Sequence, residues 1–218
     1  MKIRDVLHIS TRRQRQTTRV MQVLLGVMVV VGLVTRNGGV FVNASVGFAV
    51  TFLPATLERD HGIPMDAGLT LWITSAVFLH ALGTIALPVV GTPYTSVWWW
   101  DHLTHALSAS IVAATGYSTA RAFDLHSDSV HLPPRFMFVF ILTFTLAFGV
   151  FWEVIEFLIS LTAARLGVGS VLTQYGLGDT MLDLLFDTAG AVVVATWGSP
   201  QLTDVVSALT TRFDRTRA

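Results

Sequence analysis

Acidic and histidine side chains recur in the apolar second half of this 218-residue sequence, at spacings that bring them onto shared helix faces. Asp101 and His105 are four residues apart, so one face of a helix carries both. Glu153 and Glu156, three residues apart, share a face in the same way. Carboxylate and imidazole groups are ligands for hard and borderline divalent cations. Because the chain has no cysteine, the pattern predicts an ion held by oxygen and nitrogen rather than by thiolate.

A third acidic group runs along the last apolar segment. Asp179, Asp183 and Asp187 are spaced four residues apart. In a helix, Asp183 and Asp187 lie about 6 Å and about 12 Å along the axis from Asp179. The predicted metal ligands are His105, Glu153, Glu156, Asp179, Asp183 and Asp187. The predicted catalytic groups are Glu153, Asp183 and Asp101.

Simpler roles compete at several of these positions. Asp101 and Asp179 each stand where an acid would cap the start of a helix. His102 is either a further ligand or an interfacial polar residue. Asp187 is a ligand, a proton carrier or a structural group bonded across helices, and His80 either pairs with it or is a neutral buried histidine. A purely structural polar network is the common alternative.

The composition indicates an integral membrane protein. Apolar residues make up 52% of the chain and charged residues only 13%, and the mean hydropathy is +0.62. An ordinary soluble domain carries roughly 25% charged residues, so this chain has too little polar surface for a water-exposed globule. The 14 basic and 14 acidic residues balance, which argues against a nucleic-acid partner because such binders carry a basic surplus.

Crossing a bilayer takes about 20 apolar residues. Six segments are predicted to do so: 20–34, 40–54, 69–90, a segment from 98 or 101 to 123, 135–164 and 179–197. The predicted fold is therefore an all-α, polytopic membrane bundle of six transmembrane helices. The first two segments are short, and a tight hairpin that does not fully cross is the alternative. No small-x-small cleavage site follows the first, so we expect a retained signal anchor rather than a cleaved signal peptide.

The arginines predict the orientation. With both termini cytoplasmic, 12 of the 14 basic residues fall on the cytoplasmic side, and only Arg36 and Arg165 fall outside. The 12 are Lys2, Arg4, Arg12, Arg13, Arg15, Arg19, Arg59, Arg121, Arg135, Arg212, Arg215 and Arg217. The same orientation brings all three acidic groups into the outer half of the membrane. The location that we predict is the plasma membrane, crossed several times.

Three parts of the chain follow from this topology. They are a basic cytoplasmic N-terminal segment at 1–19, a six-helix transmembrane domain at 20–198 and a cytoplasmic tail at 199–218. The tail carries Leu202, Val205, Val206, Leu209 and Phe213 near one helical face. It is therefore either an amphipathic helix on the membrane surface or an irregular polar tail.

Three motifs resemble the YjdF-like family of prokaryotic inner-membrane proteins: Asp101-x-x-x-His105, Trp152-Glu153-x-x-Glu156-Phe157, and Gly178-Asp179-x-x-x-Asp183 leading to Gly190-Ala191. The resemblance covers about residues 69–195, with a fainter similarity to VanZ-like membrane proteins. It implies site roles for Asp101, His105, Glu153, Glu156, Asp179 and Asp183. Asp187 is an addition to the family pattern. Since the family has no assigned function, the resemblance implies a fold and a site but no reaction.

Two functions fit this pattern. The first is a metal-dependent hydrolase or transferase that acts on a lipid or lipid-linked substrate, with membrane lipids as its surroundings. One or two divalent ions (Mg, Mn, Zn or Fe) would make bound water more acidic and polarise a substrate oxygen. The alternative is a divalent-cation or proton-coupled transporter or binding protein, because the aspartate ladder descends into the membrane. A protein that binds metal only for stability is a third reading.

Overall fold

The computed structural model describes residues 9–127 and 129–217, so Lys2 and Arg4 of the predicted N-terminal segment lie outside the described residues. Within these ranges the chain is helical, apart from connecting turns and one isolated bridge between Leu87 and Gly91. The helices are α1 (Thr11–Val34), α2 (Gly38–Val50), α3 (Leu53–His61), α4 (Ala67–Gly83), α5 (Pro93–Ser96), α6 (Trp100–His126), α7 (Pro134–Leu166), α8 (Leu177–Trp197) and α9 (Ser199–Arg217).

Four stretches of the described chain are long and apolar enough to cross a membrane: α1, α2 with α3 taken together, α7, and α8. Helix α4 is apolar but has only 17 residues. Helix α6 has 27 residues, but its Asp, His, Ser and Thr side chains lower its hydropathy. Large apolar side chains are exposed along the candidate spans, for example Val27 at 52% and Val139 at 58%, as a lipid-facing surface requires.

The predicted third span, 69–90, was wrong at its far end. Helix α4 ends at Gly83, and the chain then turns back on itself, with Leu87 N and Gly91 O joined at 2.9 Å. Pro88 has no backbone N–H to continue a helix, and Val89 adopts a positive φ of 72°. The other boundary change is at the N-terminus, where Ser10 caps α1, so most of the predicted basic segment that is described is already helical.

Two apolar clusters hold the bundle together. One joins α1, α2 and α4 through Leu25, Met28, Ala44, Phe78 and Ala81. The other joins α4, α6, α7, α8 and α9 through Leu69, Ala113, Ala114, Met137, Ile141, Ala191, Val194 and Leu202. Helix α4 contributes to both clusters, so it connects the N-terminal hairpin to the helices that carry the acidic motifs. Many of these residues are alanines, which let helices approach closely inside a membrane.

Two glycines bring the acidic helices into contact. A Cβ atom added at Gly190 of α8 would overlap the carbonyl oxygen of Ala106 on α6. A Cβ atom added at Gly149 of α7 would overlap the Asp187 carboxylate of α8. The backbones of α6 and α8 therefore lie against each other at Ala106, the residue that follows His105, and at Gly190, three residues after Asp187. This contact brings the polar residues at the start of α6 opposite those of α8.

The C-terminal segment is a helix whose apolar face packs on the protein. Leu202 and Val206 are buried, at 3% and 4% exposure, and Leu202 belongs to the larger cluster. Phe213 stacks on Phe123 of α6 with ring centroids 4.6 Å apart. The irregular tail is thus ruled out for this segment. Its apolar stripe, which the pattern assigned to a membrane surface, is covered at these positions by α6 and its neighbours.

The contact between α6 and α8 predicts the effect of a single methyl group. Gly190→Ala should lower the free energy of unfolding by about 1–3 kcal/mol, because the added Cβ meets a backbone carbonyl that cannot rotate away. Gly26→Ala on α1 is the matched control, since its Cβ would lie 3.8 Å from the nearest atom, on Phe48. Thermal unfolding in detergent measures both. An unfolding temperature of Gly190→Ala equal to that of Gly26→Ala would contradict the close contact.

Candidate metal centre

Asp101, His105 and Asp183 form a group that could hold a metal ion. One donor atom from each lies within 4.8 Å of the other two. His105 Nε2 is 3.6 Å from Asp101 Oδ1 and 3.9 Å from Asp183 Oδ2. Two ligand atoms that are each about 2.1 Å from one ion lie about 3 to 3.4 Å apart. A small inward movement of these side chains would therefore create one coordination shell.

The second ring nitrogen of His105, Nδ1, faces a buried carboxylate. Its Nδ1 lies 3.3 Å from Asp187 Oδ1, and Asp187 is buried against Gly149. A histidine that binds metal through one nitrogen commonly donates its other N–H to a carboxylate, which orients the ring. Asp187 thus faces the Nδ1 atom of His105, whereas Asp101 and Asp183 face its Nε2 atom. Of the two alternatives for His80, the structure shows a partly buried histidine that contacts Asn43 and Tyr94, and not a partner of Asp187.

Three polar atoms around this group are buried without a hydrogen-bond partner among the described residues: Asp183 Oδ1, Glu153 Oε1 and His102 Nδ1. Asp183 is only 2% exposed. His102 Nδ1 is 3.6 Å from Asp183 Oδ1, which is too long for a hydrogen bond. A buried carboxylate oxygen without a partner costs about 1–3 kcal/mol or more. Carboxylate and imidazole donors fit a divalent ion that would remove this cost.

The two glutamates of α7 have separate partners. Thr180 Oγ1 donates to Glu153 Oε2 at 2.6 Å, so the buried Glu153 ties α7 to the first turn of α8. Trp152 Nε1 donates to Glu156 Oε1 at 3.0 Å. Although Glu153 and Glu156 were predicted as joint ligands, neither belongs to the group formed by Asp101, His105 and Asp183. Of the two glutamates, only Glu156 lines the cavity described below.

Neither aspartate forms a side-chain cap. Asp179 is the third residue of α8, whose N-cap is Gly176, and its Oδ2 accepts a hydrogen bond from Tyr175 N at 3.2 Å, outside the helix. An acid in the first turn of a helix is favoured by the helix dipole. Helix α6 begins without a side-chain cap, and Asp101 turns toward His105 instead. His102 lies beside the group but stacks face to face on Phe186, with ring centroids 4.6 Å apart.

A cavity of about 170 Å³ opens beside the group. Asp101 and His105 line it, while the more deeply buried Asp183 does not. The remaining lining residues come from the start of α2, the end of α4, the turn around α5, helix α7 and the loop before α8: Asn37, Gly39, His80, Thr84, Thr92, Tyr94, Glu156, Ser170, Val171, Leu172, Thr173 and Tyr175. Among the described residues that line the cavity, none is Lys or Arg.

A hydrogen-bonded network behind the cavity was not predicted. Tyr94 Oη lies 2.7 Å from His80 Nδ1, and His80 Nε2 lies 3.0 Å from Asn43 Oδ1. Asn43 Nδ2 in turn donates to Val171 O at 2.7 Å, which holds the loop before α8 in place. The available signal was Asn43 itself, because an amide inside an apolar run needs a partner. Nothing in the sequence spacing singled out Thr180.

Fold and site together define an all-helical membrane protein with a buried Asp–His–Asp group that could bind metal. The chain belongs to the family described as "Predicted membrane protein (DUF2238)", which matches residues 17–204. This is the YjdF-like family, so the resemblance seen in the motifs is confirmed. A relative from Thermotoga maritima, named "Uncharacterized protein", is 27% identical over 188 residues, covering 84% of this chain and 88% of its own. No solved structure matches.

The positions of Asp183 and Asp187 predict unequal effects on metal binding. Asp187→Asn should weaken Mn²⁺ binding about 10- to 100-fold, because it removes only the support for His105. Asp183→Asn should weaken it further, since it removes a direct ligand. Asp60→Asn, at an exposed residue paired with Arg59, is the control. Titration of free Mn²⁺ by electron paramagnetic resonance measures all three. A larger loss in Asp187→Asn would make Asp187 the direct ligand.

Proposed function

We propose that this protein is a metal-dependent membrane enzyme, a hydrolase or transferase that acts on a lipid or lipid-linked substrate. The observation that carries the proposal is the convergence of Asp101, His105 and Asp183 beside an open cavity, with Asp183 Oδ1 unpaired among the described residues. A divalent ion (Mg, Mn, Zn or Fe) bound there would supply an acidic water and polarise a substrate oxygen.

The surrounding carboxylates take supporting roles in this proposal. Asp187 orients His105, and Glu153 joins α7 to α8 through Thr180. Glu156 lines the cavity with one oxygen held by Trp152, so its second oxygen is free to take a proton as general base. Asp179 and Glu153 remain candidate ligands if a second ion enters. Two of the candidate ligands, Asp101 and His105, line the same cavity as Glu156, which supports an enzyme over a purely structural metal.

The proposed topology has six spans with both termini cytoplasmic, and the cavity faces the outer side. Arg212 Nη1 donates to His61 O at 3.1 Å, which joins the end of α9 to the end of α3 beside Arg59. Asp101 and Arg121 stand 20 residues apart on α6, which is about 30 Å of helix and matches a bilayer core. The basic and acidic ends of the bundle are thus one membrane thickness apart. The 12 basic residues assigned to one side support a plasma-membrane orientation.

Cysteine labelling tests this orientation, because the native chain has no cysteine. A membrane-impermeant maleimide applied to intact cells should label Thr95→Cys, an exposed position near the cavity. It should label Thr211→Cys, an exposed position on α9, only after the membrane is permeabilised. The reverse pattern would turn the cavity toward the cytoplasm and remove outer-leaflet lipids as substrates.

Metal content and turnover test the enzyme. The protein purified without chelator should contain a divalent ion by mass spectrometry, and Asp183→Asn should contain only background metal, whereas Asp60→Asn should match the wild type. Incubation with membrane lipids in ¹⁸O-labelled water should give a labelled product that disappears with chelator and returns with metal. Background metal in the wild type would overturn the proposal.

A transporter is the second candidate, because Asp183, His105 and Asp187 form a polar chain that leads inward. The chain meets the contact between Ala106 and Gly190 directly below, where no space remains for an ion. Proteoliposomes loaded with a Mn²⁺-sensitive or a pH-sensitive dye separate the two functions. Flux that is lost in Asp187→Asn would rank transport above catalysis.

A further inference from the structure

Several hydroxyl groups that line the cavity donate their hydrogens to backbone carbonyl oxygens. Thr84 Oγ1 donates to Ala81 O at 2.7 Å, and Ser170 Oγ donates to Leu172 O. A hydroxyl has one hydrogen and two acceptor positions. Once the hydrogen is committed to a backbone carbonyl, the oxygen of Thr84 or Ser170 can only accept a further hydrogen bond.

The hydroxyl of Tyr94 is committed in the same way, through a chain that begins at Asn43. The Asn43 amide nitrogen donates to Gly39 O at 2.8 Å and to Val171 O at 2.7 Å, so its oxygen faces His80. His80 Nε2 must therefore carry a hydrogen. Among the described residues, no carboxylate contacts His80, so the ring is neutral and its Nδ1 accepts from Tyr94 Oη at 2.7 Å.

The carboxylates add further acceptors. Glu156 uses one oxygen for Trp152 Nε1 and has the other for a ligand, and Asp101 lines the same cavity. Donors also line the cavity: the Asn37 amide, whose oxygen is used by Val40 N, and the hydroxyls of Thr92, Thr173 and Tyr175. The wall thus combines donors with fixed acceptors, and none of its lining residues among those described is Lys or Arg. A phosphate or carboxylate, which brings only acceptors, would leave the oxygens of Thr84, Ser170 and Tyr94 without a donor.

We propose that the cavity binds a neutral polyhydroxyl group, such as the sugar or glycerol part of a head group. Each hydroxyl can donate to Glu156, Tyr94 or Thr84, and hydroxyl oxygens are ligands that hard divalent ions accept. A ligand ammonium group would also donate, but a divalent ion held by Asp101 and His105 would repel it. This inference rests on the proposed function for the metal, whereas the fixed acceptors Thr84, Ser170 and Tyr94 are independent of it.

Equilibrium binding tests the ligand class. The full chain is placed in lipid nanodiscs without sugar detergents and titrated with methyl β-D-glucoside, octyl β-D-glucoside, inorganic phosphate and ethylamine, with Mn²⁺ or with chelator. Calorimetry measures each affinity. Glucoside binding should weaken about tenfold in Glu156→Gln, because one acceptor of a charge-assisted hydrogen bond is replaced, and about threefold in Thr84→Val.

Two matched variants control for the substitutions themselves. Glu58→Gln changes an exposed glutamate on α3, and Thr143→Val changes an exposed threonine on α7 that donates to Val139 O as Thr84 does to Ala81 O. Both should bind glucoside like the wild type. Tighter binding of the octyl than of the methyl glucoside identifies a lipid-anchored ligand, and equal binding identifies a free sugar.

The outcomes separate this inference from the enzyme proposal. Glu156-dependent glucoside binding that persists in chelator supports the ligand class even if the purified protein holds no metal, in which case only the enzyme proposal fails. Binding of phosphate or ethylamine at lower concentration than either glucoside would overturn the ligand class. Glucoside binding that is equal in the wild type, Glu156→Gln and Thr84→Val would overturn it as well.

Discussion

The close contact between α6 and α8 is the constraint on which the site depends. Gly190 has no Cβ, so its backbone reaches the carbonyl oxygen of Ala106, and the two helices cannot approach this closely with any larger residue. The same approach brings His105, the residue before Ala106, within reach of Asp183 and Asp187 of α8. A second small residue, Gly149, makes room for the Asp187 carboxylate on the α7 side. Small residues at helix interfaces thus create the space that the charged groups occupy.

Burying several carboxylates around one imidazole inside a membrane protein costs free energy. Hydrogen bonds compensate some of these carboxylates and not others. Glu153 and Asp187 each have one oxygen bonded, to Thr180 and His105 respectively. Asp183 Oδ1 has no such partner among the described residues. Carboxylates brought together repel one another unless protons or cations neutralise them. A divalent ion near Asp183 would satisfy the unpaired oxygen and relieve the mutual repulsion at once.

Much of the candidate site was predictable because helical periodicity is local. Residues four apart share a helix face, and in the structure Asp101 contacts His105 along α6 while Asp183 and Asp187 both approach His105 from α8. The role of the glutamates was not predictable in this way. Glu153 and Glu156 are neighbours on α7, but the rotation of that helix against α8 turns Glu153 to Thr180 and leaves Glu156 in the cavity. Rotation about a helix axis depends on packing between helices, which sequence spacing does not record.

The sequence by itself determined the membrane class, most of the apolar segments and the carboxylate and imidazole groups of the candidate site, because these follow from composition and from the helix repeat. It also determined the family, through motifs that lie within single helices. Only the tertiary structure decided that Asp101, His105 and Asp183 converge, that Asp187 stands behind His105, and that α9 packs on α6. It also decided that the Tyr94 hydroxyl offers the cavity only acceptor positions, because its hydrogen is committed to His80. These features depend on distances between residues far apart in the chain, which no local pattern determines.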